Sequence, residues 1–200
     1  MKLRLGIIGL GQAGSHTVMK AVKHKNIEIT AAADINEQYL NAFKKDFPDA
    51  DVYLDLKDVL TSDRVDAVIA TPTRLHKDHA VWAAEHKKHV LVEKPIARTL
   101  EEADAMIEAA QRNGVVLMVN HKRSYDPPIV KMREVIKSGE IGRVRMIHNW
   151  HYSDWLYRPR TPEELSDGGV VLRQGAHHFD MTRFLDCGKS QEFFKKNLEG

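Results

Sequence analysis

The strongest constraint on the fold is the alternation of short apolar runs with segments of helical periodicity along most of the chain. We predict strands at Leu3–Ile8, Ile27–Ala33, Val65–Ala70, His89–Val92 and Val115–Val119, with a weaker one at Val52–Leu54. Helical patterns fall near Ala13–His24, Glu37–Phe47, His76–His86 and Leu100–Asn113. Strands this short and this apolar are typical of a parallel sheet with helices on both faces. The sequence therefore predicts an α/β fold built on a doubly wound parallel sheet.

The ends of one helix are marked by local signals. Thr99 and Glu102 have the spacing of a capping box, in which each residue's side chain accepts a hydrogen bond from the other's backbone N–H. Gly114 stands where the helix should end in a left-handed residue. These signals support the helix predicted at Leu100–Asn113.

The pattern changes after Asn120. Pro127 and Pro128 predict the start of a helix that runs to about Ser138 and stops at Gly139. Val144–Tyr152 alternates like a strand, but one strand cannot form a sheet. We therefore predict one domain over residues 1–121, which contains the doubly wound sheet, and the beginning of an incomplete second α/β domain over residues 122–200.

Composition narrows the class of protein. The 200 residues carry a net charge of +2, are 42% apolar and 29% charged, and include a single cysteine. Basic and acidic residues are interleaved, which argues against a nucleic-acid surface, and no apolar run is long enough to span a membrane. One cysteine excludes an internal disulfide framework. We expect a cytoplasmic protein whose partner is a small molecule.

A glycine-rich loop follows the first predicted strand. Its sequence GLGQAG places a G-x-G-x-x-G pattern where a helix should begin, and it comprises Gly9, Leu10, Gly11, Gln12, Ala13 and Gly14. In dinucleotide-binding folds these glycines permit a tight turn, a close approach of backbone to pyrophosphate, and close packing of helix on strand. The helix N-terminus then presents free N–H groups to the phosphates. A plain glycine-rich turn is the alternative, because the motif alone is weak.

Asp34 supports the dinucleotide interpretation. It ends the second predicted strand, where an acid accepts hydrogen bonds from a ribose diol. Its charge would repel a 2′-phosphate, and no arginine follows in DINEQ, so NAD is favoured over NADP. Asp34 has a second possible role as a helix N-cap, which is compatible with ribose binding.

Two further motifs leave the carboxyl ends of predicted strands, where doubly wound sheets bind ligands. ATPTRLH contributes Thr71, Pro72 and His76, and EKP contributes Glu93 and Lys94. A lysine at this position can polarise a substrate oxygen and hold a proton ready, although an ordinary solvated lysine is the alternative. The isomer of the Lys94–Pro95 bond stays open, because most X–Pro bonds are trans.

The stretch LRQGAHHFD predicts helix from Gly169 to about Leu185. In a helix, Arg173, His177 and Asp180 share one face, whereas His178 points about 100° away. The two histidines are therefore poorly placed for one metal ion, and we predict no metal site. His177 is either a structural histidine or a general base.

Together these motifs resemble the Gfo/Idh/MocA oxidoreductases, a family named for glucose–fructose oxidoreductase and inositol dehydrogenase. The resemblance rests on GIIGLGQAG, ATPTRLH, VLVEKP, NHKRSYDP and GGVVLRQGAHHFD, in this order. It implies hydride transfer between a hydroxyl-bearing substrate and nicotinamide, with Lys94 catalytic or substrate-orienting and His177 as the acid/base. It also implies that residues 1–121 form a NAD-binding Rossmann domain and that residues 122–200 begin a C-terminal substrate and oligomerisation domain. Substrate contacts from Asp180 and a homo-oligomer in the full-length family form are implied as well.

The sequence departs from the family pattern in two ways. Arg173 stands where the pattern has its first acid, and the chain stops at Gly200 whereas relatives continue, so we expect a C-terminally truncated member. SDWLYRPRTPEEL is similar to the subgroup that includes phthalate dihydrodiol dehydrogenase. Arg158, Arg160 and Arg173 could then bind a carboxylated substrate such as an aromatic dihydrodiol in bidentate fashion. Solvated loop arginines at 158 and 160 are the alternative.

These observations predict an NAD-dependent dehydrogenase in which the substrate hydroxyl lies between Lys94 and His177. A sugar or polyol is the other substrate class considered. A non-catalytic dinucleotide-binding sensor or decayed paralogue is the alternative function, which Arg173 and the missing strands favour. A methyltransferase that uses the glycine loop for another nucleotide is disfavoured by the EKP and histidine motifs.

Overall fold

Six parallel strands form one sheet in the computed structural model, which describes residues 2–11, 24–70, 73–150 and 169–186. The strands are β1 (Leu3–Ile8), β2 (Ile27–Ala33), β3 (Asp51–Tyr53), β4 (Ala67–Ala70), β5 (His89–Val92) and β6 (Leu117–Val119). Their order across the sheet is β3-β2-β1-β4-β5-β6. This is the strand order of the doubly wound dinucleotide-binding fold, so the predicted fold class is confirmed.

Six α-helices accompany the strands in the described residues. They are α1 (Glu37–Asp46), α2 (Leu56–Thr61), α3 (His76–Glu85), α4 (Leu100–Asn113), α5 (Pro127–Ser138) and α6 (Gly169–Asp186). The chain divides into two compact units, Met1–Asn120 and His121–Gly200. The sheet and α1 to α4 belong to the first unit, and α5 and α6 to the second. Among the described helices, none combines the length and apolar character needed to cross a membrane.

The sheet has an apolar core on each face, which explains why its strands are apolar throughout. Alternate residues of β4 point to opposite sides, so that Val68 and Ala70 join one core and Ala67 and Ile69 join the other. On the first face α2 packs closely on β1 because Gly6 has no side chain: a Cβ there would lie 2.5 Å from Cγ1 of Val59.

The predicted elements of the first unit match the structure closely. β1, β2, β5 and α4 have the predicted bounds, and Gly114 takes the left-handed conformation with φ of 66°. The capping box forms only in half: Thr99 Oγ1 accepts from the N–H of Glu102, but the Glu102 carboxylate accepts from the N–H of Arg98.

Three differences have simple causes. β4 begins at Ala67 and not at the predicted Val65. Val65 is buried without being paired in the sheet, so its apolar character reflects burial alone. β6 begins after Val115, whose N–H donates to Ala110 O in the cap of α4. The short helix α2 was not predicted, although Asp55 supplies its N-cap by accepting from the N–H of Lys57. The helix predicted near Ala13–His24 lies almost wholly outside the described residues.

In the second unit, the predicted helix after Pro127 forms and ends at Gly139 with φ of 78°. The strand predicted at Val144–Tyr152 is wrong for its described part, because residues 144–150 have no strand structure. Within the described residues this segment pairs with no other strand, and a strand exists only where a neighbour accepts its backbone hydrogen bonds. The segment contacts α6 instead, through a 2.6 Å hydrogen bond from Asn149 Nδ2 to Thr182 Oγ1.

Candidate functional site

The glycine loop leaves β1 in a conformation that suits a ligand's approach. Gly9 has φ of 88°, and its N–H donates to Ala33 O at 2.9 Å, which joins the ends of β1 and β2. A Cβ built on Gly11 would meet no atom of the described residues within 4 Å. Packing within the described part of the chain therefore does not require a glycine at 11. Gln12, Ala13 and Gly14 lie outside the described residues.

Asp34 lies at the end of β2 beside this loop. Its Oδ2 accepts from the N–H of Leu10 at 2.7 Å, and its Oδ1 accepts from the N–H of Asn36 at 2.8 Å. The N-cap of α1 is Asn36, whose side chain accepts from Gln38, so the N-cap role considered for Asp34 is wrong. Each Asp34 oxygen keeps a lone pair for a further donor.

These residues fit a dinucleotide. No atom of the described residues fills the place of a side chain at Gly11, and the half-buried Asp34 carboxylate lies within hydrogen-bonding distance of the same loop. The loop would hold the pyrophosphate, and Asp34 would accept hydrogen bonds from the ribose hydroxyls. An anionic carboxylate at this point disfavours an added 2′-phosphate, so the arrangement suits NAD better than NADP.

The EKP motif forms a turn at the carboxyl end of β5. The Glu93 N–H donates to Ala70 O at 3.1 Å, which ties the turn to β4. The Glu93 Oε1 accepts from Asn120 Nδ2 at 2.6 Å, and Asn120 follows β6 directly. Lys94 is half-buried, and the Lys94–Pro95 bond is cis. Asn120 was not among the predicted site residues, although its place at the end of a predicted strand was a signal for it.

His76, predicted to contact the cofactor, lies fully buried beneath the same turn. Its Nδ1–H points to two backbone carbonyl oxygens, Pro95 O at 3.0 Å and Ile96 O at 3.2 Å. The structure thus places His76 against the turn that carries Glu93 and Lys94. Thr71 and Pro72 of the same motif lie outside the described residues.

His79 lies one helical turn after His76 and is also buried. Burial and, to a smaller extent, the proximity of His76 lower the pKa of His79 to about 4, whereas Asp78 acts in the opposite direction. His79 is therefore neutral at physiological pH. It did not figure among the predicted site residues.

In the second unit, α6 carries the predicted histidines. His177 is buried, with 6% of its surface exposed, whereas His178 is half-buried, as expected for neighbouring helix positions that face different directions. The Asp180 carboxylate accepts a hydrogen bond from the hydroxyl of Ser124, itself buried. This bond joins the NHKRSYDP motif to α6. The Arg173 side chain, Arg158 and Arg160 lie outside the described side chains.

A groove of about 500 Å³ lies between α6 and the extended segment 144–150. It is lined by Val144, Arg145, Met146, Ile147, Phe179, Thr182, Arg183 and Asp186. None of these is a predicted site residue, although Phe179 belongs to the LRQGAHHFD motif.

Comparison with known proteins defines the class. Residues 3–121 match the model of the oxidoreductase family with an NAD-binding Rossmann fold, and residues 129–193 match that of the GFO/IDH/MocA C-terminal domain. The chain therefore belongs to the Gfo/Idh/MocA oxidoreductases, as the motifs predict.

Particular relatives refine this assignment. The chain is 42% identical over 191 residues to 1-carboxy-3-chloro-3,4-dihydroxycyclohexa-1,5-diene dehydrogenase of Comamonas testosteroni, covering 94% of the chain and 48% of that protein. It is 35% identical to inositol 2-dehydrogenase of Salmonella paratyphi B, covering 92% and 55%. A crystal structure from Bordetella bronchiseptica RB50 superimposes with a TM-score of 0.86 at 39% identity, covering 92% and 50%. The chain thus spans about half the length of the relatives it matches.

Proposed function

We propose that the protein is an NAD-dependent dehydrogenase that oxidises a hydroxyl group of a small substrate. The observation that carries the proposal is the Asp34 carboxylate, hydrogen-bonded at 2.7 Å to the N–H of Leu10 in the glycine loop. Membership of an oxidoreductase family and the dehydrogenase names of the relatives support the same activity. They weigh against a non-catalytic sensor or a methyltransferase.

In this proposal the chain's residues bind the substrate oxygen and move its proton. Lys94 donates a hydrogen bond to that oxygen and stabilises the charge it gains as the O–H bond breaks. His177 accepts the hydroxyl proton. NAD, when bound, supplies the acceptor for the hydride that leaves the carbinol carbon, so that proton and hydride together complete the oxidation.

An anionic dihydrodiol is the substrate class that we propose. The Comamonas testosteroni relative is named for a carboxylated cyclohexadiene diol. Arg173 replaces the acid of the family pattern, and Arg158 precedes it in a stretch of sequence similar to the dihydrodiol subgroup. Guanidinium groups bind carboxylates through two parallel hydrogen bonds, which an uncharged polyol cannot offer.

The substrate experiment follows NADH formation with three compounds: a carboxylated cis-dihydrodiol, the same diol without its carboxyl group, and myo-inositol. We expect kcat/KM to be about tenfold or more higher for the carboxylated diol, because one charge-assisted bond is worth at least that factor. Arg173→Gln should reduce this preference and leave kcat/KM for the uncharged diol nearly unchanged. A preference for myo-inositol would instead support the polyol alternative suggested by the inositol dehydrogenase relatives.

A further inference from the structure

Lys94 lies in a turn that accepts hydrogen bonds on both sides of the lysine. The donors are side chains that take no part in the proposed reaction. On the N-terminal side, Asn120 Nδ2 donates to Glu93 Oε1 at 2.6 Å. On the C-terminal side, His76 Nδ1 donates to the carbonyl oxygens of Pro95 and Ile96 at 3.0 and 3.2 Å. The lysine is therefore bracketed by two hydrogen-bonded contacts from distant parts of the sequence.

Asn120 and His76 are both held in place by regular secondary structure. The Asn120 N–H donates to Val92 O at 2.8 Å, so its backbone extends the pairing of β6 with β5. His76 begins α3 and has no exposed surface. A side chain that is buried in this way has few alternative rotamers, and its hydrogen bonds hold the partner in one place.

We propose that Asn120 and His76 are positioning residues that fix the Lys94 turn from either side. The contact from Asn120 is to a carboxylate, a class of hydrogen bond stronger than that between neutral groups. The value of this positioning for catalysis rests on the proposed role of Lys94. The structural restraint on the turn does not depend on that role, and it can be measured without substrate or cofactor.

The Asn120–Glu93 contact can be reversed without changing its net charge. Asn120→Asp places two carboxylates at hydrogen-bonding distance, where they repel above the pKa of the pair. Combining it with Glu93→Gln restores a single amide-to-carboxylate hydrogen bond, with donor and acceptor exchanged. Glu93→Gln alone keeps an acceptor for the Asn120 amide and removes only the charge, which makes it the matched control.

The readout is amide hydrogen exchange of the peptide spanning residues 93–99, in the full chain without ligand. At pH 8 we expect Asn120→Asp to exchange about tenfold faster there than the parent, since a bond to a charged group is lost. The Glu93→Gln/Asn120→Asp double variant should return to within about twofold of Glu93→Gln. If Asn120→Asp does not fold, recovery of folding in the double variant is the expected result.

The His76 contact has its own matched pair. In His76→Asn, the side-chain amide can reach roughly the place of Nδ1 and can still donate to Pro95 O, whereas in His76→Leu the volume is kept but no donor remains. We expect faster exchange over residues 93–99 in His76→Leu than in His76→Asn. Equal exchange in these two variants would overturn the role given to His76.

Turnover separates this inference from the proposed function. If positioning matters for catalysis, kcat should fall in Asn120→Asp and recover in the double variant, with the NADH dissociation constant tracking Glu93→Gln. If the unsubstituted protein shows no turnover, that result would count against the proposed function. Hydrogen exchange would then remain the test of whether Asn120 and His76 hold the turn. Exchange in Asn120→Asp equal to the parent, or a double variant that stays as fast as Asn120→Asp, would overturn the positioning role.

Discussion

The two ends of the sheet use polar side chains differently. At the amino end, Asp66 accepts from the Arg4 guanidinium at 2.6 and 3.0 Å, and Lys88 Nζ donates to Ser62 O and Val65 O, each at 2.8 Å. At the carboxyl end, the Asp34 carboxylate lies beside the glycine loop, and Glu93 and Lys94 lie in the turn that follows β5. The amino end therefore contributes stability, and the carboxyl end is where we place ligand binding.

The largest difference between the two ends should appear in kcat when one lysine at each end, Lys94 or Lys88, is replaced. Lys94→Met should lower kcat by about a thousandfold, since a group that assists proton transfer contributes on the order of 10² to 10⁴. Its NADH dissociation constant should stay within a few fold of the parent. Steady-state kinetics and nicotinamide fluorescence measure the two quantities.

Lys88→Met is the matched control for that variant. Removing its ammonium group takes a donor from two carbonyl oxygens, so the free energy of unfolding should fall by about 1–2 kcal/mol with kcat unchanged. A similar loss of kcat in both variants would mean that Lys94 acts through stability alone.

The second prediction concerns the buried His79 at the carboxyl end. Its folded-state pKa of about 4 lies below the ordinary value of 6.5, because burial opposes the charged form. The unfolded chain therefore takes up a proton first as pH falls, and stability is lost between about pH 6.5 and 4. We expect a loss on the order of 3 kcal/mol over this window in urea unfolding.

His79→Leu should flatten that part of the stability profile, whereas His86→Gln, at an exposed position beyond the same helix, should leave it intact. A His79→Leu profile as steep as that of the parent would assign the loss to other groups.

The third and smallest effect belongs to Asp66 at the amino end. Hydrogen bonding by Arg4 lowers the pKa of Asp66 to about 2 from an ordinary 3.8. The stabilisation is therefore complete above about pH 4 and is lost as pH falls toward 2. Asp66→Asn should cost about 1 kcal/mol at pH 7 and should reduce the acid-induced loss, as measured by unfolding at several pH values. A change in NADH affinity in Asp66→Asn would break the separation between the two ends.

At the carboxyl end of the sheet, the sequence predicts the positions of the strands and site residues better than it predicts the hydrogen bonds between them. Strand bounds and the places of Asp34 and Lys94 follow from hydrophobic runs and from the rule that strand ends carry ligand sites. The partner of Glu93 does not follow, because Asn120 is 27 residues away and meets it only through the register of β5 with β6. His76 illustrates the same limit: its motif indicates a cofactor contact, but its burial beneath Pro95 depends on packing.

The second unit shows where pattern alone misleads. Val144–Tyr152 alternates like a strand, but alternation reports only which residues face different sides. Pairing needs a second strand, which no described residue supplies, and the segment contacts Thr182 on α6 instead. Helix α6 was predictable because a helix satisfies its own backbone hydrogen bonds.

The central claim is that the glycine loop and Asp34 bind NAD, and it is tested most directly by titrating the full chain with NADH and NADPH while following nicotinamide fluorescence. We predict that NADH binds about tenfold or more tightly than NADPH, a difference of about 1.4 kcal/mol or more, and that Asp34→Ser narrows this difference. Equal affinity for the two nucleotides, or tighter binding of NADPH, would contradict the account.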